Sequence, residues 1–159
     1  MVSLHSYGFL TGGITLLSIS MKLVLWESTD GPVPGLLTTR GIVGVPDARS
    51  IEQLIDSFAE RRAELERLAD AGAAIPLESA HLLPPLPRPG KILCSTASYA
   101  PTPGEVAPLL MTLKSAESVI GPGQTVHLPQ VDDAWQFVPE AQLGLVIRGP
   151  AKNVKASDC

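Results

Sequence analysis

Val138-Pro-Glu-Ala-Gln-Leu-Gly-Leu-Val-Ile147 alternates in character: Glu140, Gln142 and Gly144 fall on one side of a period-two pleat, Ala141, Leu143, Leu145 and Ile147 on the other. The pattern predicts a strand with an aliphatic face in a core and a polar face toward a cavity or solvent. Gly149-Pro150 ends it, and Ala151 to Val154 starts a further element that the last five residues do not complete. Residues two apart on a strand lie roughly 6 to 7 Å apart at the backbone, so the side-chain oxygens of Glu140 and Gln142 come within reach of one hard cation. The same residues would serve equally as ordinary polar groups on the open face of a half-buried strand.

Ahead of this stretch come a strand over Lys91 to Ser95, a proline-rich loop over Ser98 to Pro108 and the apolar run Leu109-Leu-Met-Thr-Leu113. A Gly121-Pro-Gly123 turn and a strand near Thr125 to Leu128 follow. Pro76, Pro84, Pro85, Pro87 and Pro89 each lack a backbone donor and bias their predecessors toward extended geometry, so this stretch reads as a linker. Before it, Leu23 to Trp26, Leu36-Leu37 and Ile42-Val43 are separated by Asp30-Gly31-Pro32, Pro34-Gly35 and Arg40-Gly41, which predicts three short antiparallel strands. The period then changes. Ile51, Leu54, Ile55, Phe58, Leu65 and Leu68 recur on one face of a helix, with Ser50 and Gln53 as a capping box, Gly72 as the stop, and Arg62 and Glu66 paired on the solvent side. The fold class is α+β, mainly β. Residues 21–75 form a β/α module, 76–90 a linker and 91–159 a second domain.

A chain of 159 residues is ordinarily one domain, and the composition, 45% hydrophobic and 18% charged, is that of a globular protein. Fifteen prolines and 14 glycines favour turns and short strands over long helices. A net charge of -4 with no basic run excludes nucleic acid as an expected partner, because polyanion binding needs clustered Lys and Arg. Cys94 and Cys159 make neither a disulfide framework nor a C-x-x-C pair, which fits a reducing cytoplasm, and Cys94 reads as a small buried hydrophobe. His5, His81 and His127 are scattered, without helical-spacing partners. Gly121-Pro-Gly123 lacks the Gly-Lys-Ser/Thr ending of a phosphate loop, and no G-x-S-x-G elbow is present. Phe9 to Trp26 is apolar but broken by Gly12, Gly13, hydroxyl residues and Lys22, and Met1 to Tyr7 carries no positive charge. Neither a membrane span nor a secretory signal is expected.

PLPRPGKILCSTASYAPTPGE, Pro85 to Glu105, taken with Val138 to Ile147, resembles the opening of the catalytic domain of the fumarylacetoacetate hydrolase family. The resemblance covers about Met21 to Cys159 and only the first part of a family member. It implies an incomplete mixed β roll, and a metal-dependent hydrolase or lyase acting on small diketo or 2-keto acids through an enolate. The family's Glu-x-Glu metal motif corresponds to Glu140 and Gln142, where Gln142 keeps an oxygen and loses a charge. The implied ion is magnesium, manganese or calcium. The family's Asn-Tyr-x-x-His-x-x-Glu loop corresponds to Ser98-Tyr-Ala-Pro-Thr-Pro-Gly-Glu105. Tyr99 would then contact substrate and Glu105 would assist proton transfer, while Thr102 stands where the family has its catalytic histidine. A threonine hydroxyl does not accept a proton at neutral pH as imidazole does. Lys114 corresponds to a family lysine that would meet a substrate carboxylate or steady an acidic cluster; it reads otherwise as an exposed lysine.

Family N-terminal domains often begin much as Met21-Lys-Leu-Val-Leu-Trp-Glu27 does, which marks residues 1–20 as a spurious or disordered extension. The third acidic ligand and the closing strands of the family roll would lie beyond Cys159. Half a roll exposes strand edges and an aliphatic face, so a complementing chain is an expected partner besides the keto acid, and the resemblance itself implies a homodimer. The alternative is a non-catalytic remnant or interaction subunit of the same fold.

Overall fold

The computed structural model describes residues 2–6, 19–96, 110–130 and 137–155. The chain divides into two compact units, Met1–Gln124 and Thr125–Cys159. Among the described residues it is mainly β, with a few helices and antiparallel sheets, and is of the α+β class.

In the first unit, β2 (Ile19–Ser28), β3 (Gly31–Thr38) and β4 (Gly41–Gly44) form an antiparallel meander where the turn residues predict one. One device closes both hairpins. The Ser28 hydroxyl donates to the Gly31 carbonyl at 2.8 Å and accepts from the Asp30 N–H; Thr38 Oγ1 donates to the Gly41 carbonyl at 3.0 Å and accepts from the Arg40 N–H. Each turn ends on a glycine at positive φ, +108° at Gly31 and +124° at Gly41, a backbone region closed to most L residues. At Gly41 a side chain is also excluded by space, since a Cβ would run into the Ile75 carbonyl oxygen.

Pro34 lies inside β3 without breaking it. Its carbonyl accepts from the Val45 N–H at 2.8 Å, so its backbone edge faces the β4 side, just past the end of that strand. The absent proline donor therefore costs no ladder bond toward β2.

Three additions complete the larger sheet. β1 (Val2–Ser6) pairs antiparallel with residues 19–23 of β2, and β6 (His81–Leu83) with residues 25–27, so the two share one flank of β2. β5 (Ala74–Ile75) pairs with β4, giving the order β1-β2-β3-β4-β5 with β6 against β2. Residues 2–6 thus form a paired strand, and β2 begins at Ile19, ahead of Met21. Within 76–90, residues 81–83 pair with β2, and the prolines of this stretch flank the triplet and leave its donors intact.

The helical face buries as the spacing predicts, but the helix is divided. α1 (Ile51–Asp56) and α2 (Phe58–Ala71) meet at Ser57, whose hydroxyl donates to the Gln53 carbonyl at 2.8 Å and competes with the regular ladder. Ser50 accepts from the Gln53 N–H, while Gln53 Oε1 reaches back to the N–H of Arg49 rather than that of Ser50, which displaces the capping box by one residue. Gly72 caps α2 by donating to the Leu68 carbonyl from an extended conformation, φ -65°, and not from a left-handed one. Ile51, Leu54, Ile55 and Leu65 join Met21, Leu23, Leu25, Leu36, Val45 and Ala48 in one core, with Phe58 and Leu68 packed against it. Full burial of each such leucine contributes about 1.5–3 kcal/mol.

Arg40, in the β3–β4 turn, spans from sheet to helix. Its guanidinium donates to the carbonyls of Ala69 and Asp70 at 2.7 Å and of Gly72 at 3.2 Å, placing a cation on the carbonyl-rich end of α2. On the solvent side Arg62 pairs with Glu66 at 2.9 Å.

β7 (Ile92–Thr96) and β8 (Leu110–Lys114) form a separate two-stranded antiparallel sheet. Leu93 and Leu113, opposite each other, are 61% and 70% exposed. In the second unit the described residues form neither helix nor strand. The strands expected near Thr125 to Leu128 and over Glu140 to Ile147 are therefore absent. Period-two alternation suits a pleat, but a strand exists only where a neighbour supplies the ladder, and among the described residues these stretches have none.

Candidate functional site

Glu140 and Gln142 come together. Gln142 Nε2 donates to Glu140 Oε2 at 3.1 Å, and both side chains are exposed. The contact is an amide N–H on a carboxylate oxygen, made in a stretch where the expected strand is absent. The aliphatic set of the same stretch is not in a core: Leu143, Leu145 and Ile147 are 83%, 82% and 72% exposed. The chemistry of this pair is that of hard oxygen donors, one anionic carboxylate and one amide that presents Oε1 after half a turn about its last side-chain bond. Among the described residues no group of three or more His, Cys, Asp or Glu is placed to hold a metal ion.

Lys114 ends β8 opposite Ile92, exposed, and belongs to the first unit. After it Ser115 accepts from the Glu117 N–H and caps a single 3-10 turn, Ala116–Ser118. The Gly121-Pro-Gly123 stretch forms the expected turn, closed by the Gly121 N–H on Gln124 Oε1 and with Gly123 at φ +77°. Tyr99, Thr102 and Glu105 lie outside the described residues. Cys94 is a free, half-buried thiol on β7, and His81 and His127 are exposed.

The first unit also carries a groove of about 490 Å³ beside β2, β3 and α2, lined in part by Lys22, Thr38, Arg40, Glu66 and Asp70. Sequence reading gave these residues no common place, because they are gathered from three elements by tertiary packing. Several of their polar groups are already engaged: Arg40 by the α2 carbonyls, Thr38 by Gly41 and Glu66 by Arg62.

The strongest electrostatic cluster is likewise structural. Arg61 donates to Glu64 at 2.8 Å and to Asp47 at 2.6 Å, tying α2 to the segment after β4. These hydrogen bonds, first that to Glu64 and then that to Asp47, push the Arg61 guanidinium above its already high range. The same contact holds the Glu64 carboxyl below the usual carboxylate range.

Among the described residues no helix is long and apolar enough to cross a membrane. Comparison with protein-family models, with curated proteins and with solved structures finds no match to this chain.

Proposed function

We propose that the chain derives from the fumarylacetoacetate hydrolase lineage and acts, with reduced capacity, on small diketo or 2-keto acids. The observation that carries this reading is the meeting of Glu140 and Gln142, the two residues that the sequence resemblance assigns to a magnesium, manganese or calcium ion, with their polar atoms 3.1 Å apart. The donor set fits a hard cation, as two of its six or more oxygen ligands, with exposure leaving the remaining positions to water. A bound cation supplies polarisation of substrate oxygens and stabilises the negative charge that develops on them. Glu140 provides the negative charge of the pair, and Gln142 an uncharged oxygen at the same place. By the sequence resemblance, Glu105 would accept the proton that the family's histidine takes, Thr102 would contribute only a hydroxyl, and Tyr99 and Lys114 would hold the substrate, Lys114 by pairing with the substrate's carboxylate.

Calorimetric titration of the chain with manganese tests this reading. Weak binding is expected, tightened on the order of tenfold by Gln142→Glu, because affinity follows the charge of the ligand set. It should be lost in Glu140→Ala. Absence of binding by folded protein in both the parent and Gln142→Glu overturns the metal assignment.

The exposed Leu143, Leu145 and Ile147, with Leu93 and Leu113 on the β7–β8 sheet, favour a second reading: a non-catalytic remnant or interaction subunit of the same fold that requires a complementing chain. Turnover of a 2,4-diketo acid by the isolated chain, followed as loss of its enol absorbance, would reject that alternative.

A further inference from the structure

We draw no further inference here: the strongest candidate, the apolar face that Leu93, Met111 and Leu113 form on the two-stranded β7–β8 sheet, is an exposed surface with nothing in the structure to show what covers it.

Discussion

Residues 19–83 and residues 137–155 are both rich in aliphatic side chains, yet the first segment holds a buried core and the second leaves Leu143, Leu145 and Ile147 in solvent. The difference is not one of composition. In the first, each described strand has a ladder partner, in the meander, on the flank of β2 or, for β5, on β4 across the two helices, and α1 and α2 pack on the sheet. In the second, the alternation is just as regular but no partner strand is present among the described residues. Amphipathic pattern makes a segment eligible for a sheet; hydrogen-bonded neighbours make it a strand.

The largest expected effect comes from exchanging matched leucines. Leu65→Ala, at a position with no exposure, should cost about 2–5 kcal/mol, whereas Leu145→Ala should stay within about 0.5 kcal/mol. Urea unfolding of both variants measures this, and equal losses would erase the contrast. Gly41→Ala follows at about 1–3 kcal/mol, because the new Cβ meets both an unfavourable φ and the Ile75 carbonyl. The unfolding midpoint reads that loss. Arg40→Gln removes the cation from the end of α2 at a cost of about 1 kcal/mol, the exposed guanidinium being screened by water. Amide exchange should locate the loosening at residues 69–72.

The smallest effect is one of pH. The Glu64 carboxyl is depressed by its hydrogen bond from Arg61, so its contribution to stability is present above its unfolded-state pKa and is lost as pH falls through the folded value. The difference in thermal midpoint between the parent chain and Glu64→Gln should accordingly shrink on acidification from neutral pH. A constant difference would show that the contact acts through packing rather than charge.

The meander and the helical face were legible because their signals are local. Asp30-Gly31 and Arg40-Gly41 specify their own turns, and the spacing from Ile51 to Leu68 specifies its own face. Ser57 escaped notice, since a serine at that position reads equally as a helix interior residue until its hydroxyl is seen on the Gln53 carbonyl. β1 and β6 were illegible for a different reason: three to five residues are too few for a period to decide, and their pairing is set by a strand separate in the chain. For the candidate site, the nearness of Glu140 and Gln142 needed only their spacing, whereas burial of the neighbouring aliphatic residues depended on a layer that 137–155 does not contain.

The divided flank of β2 has a mechanical corollary. Two clamps drawn from distant parts of the first unit's chain grip successive stretches of a single strand, on either side of Val24. Trimming either clamp would unzip only its own stretch and bare a short row of amide groups while the rest stayed closed, leaving a landing strip for a foreign strand instead of a collapsed domain.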